Sequence, residues 1–212
     1  MLTNANKWAM ASRNRIFCTT FALYRKKMRY EITAPKKFDA TITLPASKSI
    51  SNRALVIHAL SYGNIMPRHL SDCDDTEVMV NALRDMPDTI DIKAAGTAMR
   101  FLTAYLSVAE GEEHVITGTE RMKHRPIAIL VDALRYLGAD ISYEGEEGYP
   151  PLRIKGKALE GGHLEITGSV SSQYISALLM IGPALKNGLE LKMTGNIASR
   201  PYIDLTLWMR RE

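Results

Sequence analysis

From residue 28 onward the spacing of apolar positions switches repeatedly between the two-residue period of strands and the three-to-four-residue period of helices. Alternation over Arg29-Tyr30-Glu31-Ile32 and the run Thr41-Ile42-Thr43-Leu44 predict strands. Ala54, Leu55, Val56, Ile57 and Leu60 give residues 51–60 a broad apolar face, which predicts a helix. His69-Leu70 reads as a short extended piece. Asp74-Asp75-Thr76-Glu77 opens a second helix reaching residue 83, where acidic side chains complement the helix dipole. On this reading Asp74 and Asp75 are caps and structural partners.

The same order then recurs. Strands are predicted over 91–94 and 113–117 and helices over 98–108 and 126–137, with Pro126 suited to a first helical turn. Strands over 140–143 and 152–155 flank a Gly- and Pro-rich turn. A third round gives a strand over 164–167, a helix over 173–185, a strand over 189–194 and a helix from Pro201. Ser49 to Asp75, Thr97 to Arg125 and Ser172 to Pro201 are 26, 28 and 29 residues apart. The pattern is a βαβα-plus-hairpin unit copied three times, and the fold class is α/β (α+β). The first copy lacks its hairpin, because Asp85-Met86-Pro87-Asp88 runs almost directly into the next strand. The third copy stops inside its second helix, so a truncated domain is expected. Three segments follow: a basic, disordered extension over 1–27, lead-in strands over 28–46 belonging to or beside a second domain, and an incomplete three-repeat substrate-binding domain over 47–212.

Each copy places small and hydroxyl residues where a strand ends and a helix begins. The turns are Pro45-Ala46-Ser47-Lys48-Ser49-Ile50-Ser51-Asn52-Arg53, Ala95-Gly96-Thr97-Ala98-Met99-Arg100 and Gly168-Ser169-Val170-Ser171-Ser172-Gln173. Small residues admit a ligand to the backbone, and the free amides of a helix N-terminus favour anions. Lys48, Arg53 and Arg100 add charge. Taken singly, Lys48 also reads as a solvated lysine, Ser171 and Ser172 as helix caps, and Arg121-Met122-Lys123-His124-Arg125 as a solvated basic loop. Arg100 reads as support for the fold. His58 and His124 read as a core-edge and a surface histidine.

Charge changes the picture of partners. The 212 residues carry a net +4, yet residues 1–27 hold six Lys and Arg and no acid. Those six charges taken away leave −2 for the remainder, so no nucleic-acid partner is expected. No apolar run approaches the roughly 20 residues of a bilayer span, which predicts a soluble protein without a membrane partner. Cys18 and Cys73 have no metal or redox spacing and suit a reducing, cytoplasmic setting. Targeting to a plastid by residues 1–27 is the lesser alternative. Five scattered histidines show no ligand spacing, and no metal is expected.

Five separated blocks resemble the EPSP synthases (3-phosphoshikimate 1-carboxyvinyltransferases), in that family's order from about residue 40 to the end. Besides the first turn extended to Leu44 and Leu55, and the other two turns, they are Arg121-Met122-Lys123-His124-Arg125-Pro126-Ile127 and Ser199-Arg200-Pro201-Tyr202-Ile203-Asp204. The resemblance implies the enolpyruvyl transferase fold, with this chain as one incomplete domain of two. It implies transfer of the enolpyruvyl group of phosphoenolpyruvate to the 5-hydroxyl of shikimate 3-phosphate, in the shikimate pathway to chorismate and aromatic amino acids. No cofactor is implied, and the complete protein is expected to be a monomer. Carried over by position, Lys48 neutralises the phosphoenolpyruvate phosphate and lies between the two substrates. Ser49, Arg53, Ser171, Ser172, Gln173, Ser199 and Tyr202 bind shikimate 3-phosphate. Gly96, Arg121 and Gln173 serve phosphoenolpyruvate.

The acid–base carboxylates of the family lie in its second domain, so the chain alone is expected to be inactive. The residue after Arg100 is Phe101, where proline is common in the family. Two alternatives remain at this point. A UDP-N-acetylglucosamine enolpyruvyl transferase would carry asparagine where Ser49 stands, and a reactive cysteine loop. A non-catalytic anion-binding or interaction module would use the same turns without chemistry.

Overall fold

Strand β1 (Arg15–Cys18) pairs antiparallel with β2 (Tyr30–Thr33), Cys18 opposite Tyr30. They lie in a unit of residues 1–44, and residues 45–212 form a second unit. The computed structural model describes residues 15–18, 30–33, 37 and 39–211. Within the basic segment 1–27, Arg15–Cys18 is therefore a strand where no order is expected; the rest of that expectation falls outside the described residues. The predicted strand over 41–44 does not form. Ile42 and Leu44 are 70% and 81% exposed, and no described strand lies alongside to complete a ladder.

In the second unit, α1 (Lys48–Leu60) begins three residues earlier than the apolar face alone predicts. Ser47 caps it, its Oγ accepting from the Ile50 amide at 3.4 Å, so Lys48 and Ser49 lie on the first helical turn. His69 adopts φ +55°, which breaks the extended path predicted at 69–70. Helix α2 (Asp74–Asp85) runs two residues beyond expectation and closes at Met86, in the left-handed conformation. Strand β3 (Thr89–Asp91) ends where a longer strand was predicted to start. The Asp91 carboxylate accepts from the Lys93 amide at 2.8 Å, turning the chain ahead of α3 (Gly96–Val108).

The middle copy is complete. After α3 come β4 (Glu113–Thr117), a short α4 (Glu120–Lys123), α5 (Ala128–Tyr136), β5 (Asp140–Tyr143) and β6 (Leu152–Lys155). The sheet order is β3-β4-β6-β5, with β3 and β4 parallel across α3 and the other pairs antiparallel. Pro126 lies before α5 instead of in its first turn, and its carbonyl serves other partners described below. In the third copy, β7 (Gly162–Thr167) and β8 (Leu189–Thr194) are parallel across α6 (Ser172–Ile181), and α7 (Arg200–Arg211) follows. Gly182–Ala184 continues α6 only as a 3-10 turn, because Pro183 has no amide to donate. Of the first copy only the helices form, and α2 gives way directly to β3 with no hairpin between.

Helix α3 is the centre of the unit, packed against α1, α2, α5 and α6. All of its residues but Tyr105 and Val108 are buried. A helix buried on every side must satisfy its polar side chains internally. Thr103 Oγ1 donates to the Met99 carbonyl at 2.6 Å and Ser107 Oγ to that of Thr103 at 2.7 Å. Helices α1, α3 and α6 touch one another, so the three turns that precede them are brought to one end of the core.

Candidate functional site

The first residues of α1, α2, α3 and α6 are tied together by one run of side-chain bonds. Lys48 Nζ donates to Asp75 Oδ1 at 3.2 Å, and Asp75 Oδ2 accepts from the Thr97 amide at 3.3 Å. Gln173 Nε2 then donates to Thr97 Oγ1 at 3.2 Å. Four helix N-termini, one of them carrying Lys48, therefore share one small region, and their partial charges add. Asp75 is the one carboxylate in this run.

Arg125, which reaches Gly96, also lines a cleft of about 400 Å³ together with Ala94, Thr119, Arg121 and Met122. Arg125 spreads its guanidinium against Gly96. A Cβ there would collide with Arg125 Nη1 and stand 3.2 Å from Arg100 Nη1. Arg100 itself is buried and donates to the Gly96 carbonyl at 3.0 Å and the Pro126 carbonyl at 3.4 Å. The Tyr174 hydroxyl donates to that second carbonyl at 2.7 Å. Burial pulls the Arg100 pKa down, and nearby Arg125 adds to the effect, while the Tyr174 ring and hydroxyl oppose it. Arg100 thus braces the loop that carries Arg121 and Arg125. Both of these are exposed, and no carboxylate among the described residues pairs with either. Two open guanidiniums beside a helix N-terminus are suited to a carboxylate or phosphate.

Ser171 caps α6, its Oγ accepting from the Gln173 amide at 3.3 Å. Gly168 lets the next turn approach: a Cβ there would lie 2.9 Å from Ile197 Cγ1, and its carbonyl accepts from the Ala198 amide at 2.8 Å. That contact sets Ser199, at φ +52°, and α7 beside the turn that carries Ser171 and Ser172. Ser171, Ser199 and Tyr202 are exposed, and Ser49, Ser172 and Gln173 are half-buried.

Arg53 is placed differently. Its guanidinium faces the core, donating to Thr206 Oγ1 (2.7 Å), Ser176 Oγ (2.8 Å), the Ser49 carbonyl (3.0 Å) and the Tyr202 carbonyl (3.3 Å). It also stands 5.3 Å from the Phe101 ring centre and 5.9 Å from that of Tyr202. Desolvation lowers its pKa to about 10, with Tyr202 acting in the opposite direction. Arg53 joins α1, α6 and α7 and fixes the carbonyl side of Ser49. His58 is half-buried at the end of α1 and His124 exposed.

From their places in the sequence Asp75 reads as a cap and structural partner, and Arg125 as part of a solvated basic loop. Both reach the first turn of α3. The signal was in the repeat spacing, since Asp75 and Arg125 hold equivalent positions in the first and second copies.

A family model described as EPSP synthase (3-phosphoshikimate 1-carboxyvinyltransferase) matches residues 32–90 and 85–211. A 3-phosphoshikimate 1-carboxyvinyltransferase of Bacteroides fragilis is 65% identical over 185 residues, which cover 87% of this chain and 45% of the relative. One from Haemophilus influenzae is 44% identical over 202 residues, covering 82% and 47%. The chain thus spans about half the length of the curated relatives it matches. A solved EPSP synthase from Acinetobacter baumannii has the same fold, with TM-score 0.63 at 24% identity over 77% of this chain and 42% of that one. Among the described residues no helix is long and apolar enough to cross a membrane.

Proposed function

The chain belongs to the EPSP synthase family, and we propose that it forms the wall of an enolpyruvyl transfer site that holds shikimate 3-phosphate and one end of phosphoenolpyruvate. The observation that supports this reading best is the bonded run Lys48–Asp75–Thr97–Gln173, which gathers four helix N-termini beside the two open arginines. Both substrates are anions, and this end of the core concentrates donors and positive charge. Ser171, Ser172 and Ser199 hold the phosphate of shikimate 3-phosphate. Ser49, Gln173 and Tyr202 meet the ring, and Arg53 acts from below by fixing Ser49. Lys48 sits between the substrates. Gly96 admits phosphoenolpyruvate to the α3 N-terminus, where Arg121 grips it.

In the reaction a proton adds to the methylene of phosphoenolpyruvate and the 5-hydroxyl oxygen bonds to the adjacent carbon, losing its own proton. The carbon–oxygen bond to phosphate then breaks while a proton leaves the new methyl group. This chain's residues orient the substrates and stabilise the charge that gathers on the departing phosphate. Proton transfer needs a positioned acid and base, and Asp75 is engaged by Lys48 and Thr97. Residues 47–212 are the substrate-binding domain and 28–46 belong to or near its partner domain, which carries the proton-transfer groups. The protein is a cytoplasmic monomer when complete and acts on small molecules, not nucleic acid. The family membership gives no support to the UDP-sugar alternative.

Titration calorimetry of the purified chain tests this. Shikimate 3-phosphate should bind saturably, and Lys48→Ala or Ser171→Ala should each weaken it about tenfold, near 1.4 kcal/mol. No saturable binding, or binding untouched by both substitutions, would overturn the site. Steady phosphate release from both substrates by the chain alone would overturn the division of labour.

A further inference from the structure

Resting on that anion-site reading, we infer that Asp75 is a positioning residue, which holds the Lys48 ammonium in one place between the two substrates, where shikimate 3-phosphate meets it. Lys48 alone is poorly constrained. Its side chain is 47% exposed and has a long flexible stem, whereas that of Asp75 is 19% exposed. Asp75 also starts from a fixed place. Its neighbour Thr76 is buried and donates from Oγ1 to Asn52 Oδ1 of α1 at 2.7 Å. The preceding loop is tied to the same helix, the Ser71 amide donating to Ser51 Oγ at 2.9 Å. These two bonds pin the start of α2 to α1, and the short Asp75 side chain has little freedom left.

From that platform one carboxylate oxygen takes Lys48 and the other takes the Thr97 amide. The amide belongs to the helix whose next turn is buried on every side, so the carboxylate links an exposed cation to the buried helix at the centre of the unit. Gln173 holds the same threonine through its hydroxyl, which extends the link to α6. Each carboxylate oxygen still has a lone pair, so a hydroxyl of the ligand can approach without breaking either bond. The competing account of the contact is a carboxylate that only fills the anion's place. It predicts the opposite sign, because removing the charge would then free the site.

Shikimate 3-phosphate titrations of the purified chain separate the two accounts. Asp75→Asn keeps the shape and should weaken binding about fivefold, because the ammonium loses its charged anchor, while Asp75→Glu should recover much of that loss. In a Lys48→Ala background Asp75→Asn should change binding by less than about twofold, since Asp75 acts through the lysine. Tighter binding by Asp75→Asn, or effects that simply add in the double variant, would overturn the proposal. A second readout needs no ligand: NMR of the Lys48 side chain should show its ammonium more mobile in Asp75→Asn than in the parent. An unchanged Lys48 signal overturns the positioning role. Failure of the parent chain to bind shikimate 3-phosphate instead overturns the anion-site reading, and the NMR comparison still decides whether Asp75 holds Lys48.

Discussion

Arg53→Ala separates a ligand-facing arginine from one that builds the fold. In the structure its guanidinium donates four hydrogen bonds to α1, α6 and α7, at 2.7 to 3.3 Å. A hydrogen bond from a charged group contributes about 1.5–3 kcal/mol when measured singly, but such values do not add. Two effects reduce the sum. Burying the guanidinium opposes folding, as its pKa of about 10 reflects. Thr206 Oγ1 also keeps partners without Arg53, donating to Ser176 Oγ at 2.9 Å and sharing the Tyr202 carbonyl at 2.8 Å. Packing on the Phe101 and Tyr202 rings adds to the loss. A net cost of about 3–5 kcal/mol follows, a large fraction of the 5–15 kcal/mol of a typical domain. With the urea dependence usual for small proteins, the unfolding midpoint should fall by about 1–3 M. Arg53→Lys keeps the charge but loses the fork, and should fall about half as far. Denaturation followed by circular dichroism measures both. An unchanged midpoint together with lost shikimate 3-phosphate binding would refute the reasoning, because it would make Arg53 a ligand group and not a brace.

Gly96→Ala should displace the Arg125 guanidinium and lower phosphoenolpyruvate affinity about fivefold or more while sparing shikimate 3-phosphate, a split that paired calorimetric titrations resolve. Gly156→Ala should cost about 2–4 kcal/mol in urea unfolding, since its Cβ would collide with the Ala109 carbonyl and lie 2.8 Å from that of Leu106, both backbone atoms that cannot swing aside. Burial raises the Tyr143 phenol to about 12, against the usual 10 of an unfolded chain. Between those values the unfolded chain gives up a proton that the folded chain keeps, so stability is intact below pH 10 and falls as pH rises toward 12. Burial also raises the Tyr105 phenol, so absorbance of tyrosinate should show more than one late ionisation, and Tyr143→Phe should remove the latest of them together with its share of the decline.

The helices and the hairpin of the middle copy were legible because each has its own period and its own punctuation. Asp140–Tyr143 and Leu152–Lys155 alternate cleanly between turn residues and form as predicted. The misses have local causes. A strand exists only where a neighbour completes its ladder, and apolar content at Ile42 and Leu44 says nothing about that neighbour. The strand runs over 89–91 and not 91–94 because Ile92, although apolar, fully buried and still bonded to the Thr117 carbonyl, is the last residue before the turn that the Asp91 carboxylate makes by accepting from the Lys93 amide. Arg53 shows a limit of another kind. A motif tells that an arginine follows a serine by four residues, but not which way the guanidinium turns. That depends on Ser176 and Thr206, which are more than 120 residues away.

The repeat explains why the candidate site is asymmetric although its scaffold is not. Three similar helices begin at one end of the core, and three equivalent positions 26 to 29 residues further on are filled by Asp75, Arg125 and Pro201. In the first copy the position carries a negative charge and reaches across to the amide of Thr97, with Lys48 on its other oxygen. In the second it carries a positive charge and lies against Gly96. The two side chains therefore reach neighbouring residues of the same helix start with opposite sign. One side is already neutralised by a protein ion pair, while the other presents Arg121 and Arg125 without a described carboxylate. An incoming anion gains most from the second side, where no protein charge must be displaced. On the proposed reading, a two-ended anionic substrate at α3 is oriented by the acid that stands at this position in the first copy and the arginine that stands there in the second. Exchanging the charges, with Asp75→Arg and Arg125→Asp together, should abolish phosphoenolpyruvate binding and not restore it, because Lys48 would then face a like charge. Recovery of binding in that double variant would show that only the net charge at the α3 N-terminus matters, and its measured affinity decides the point.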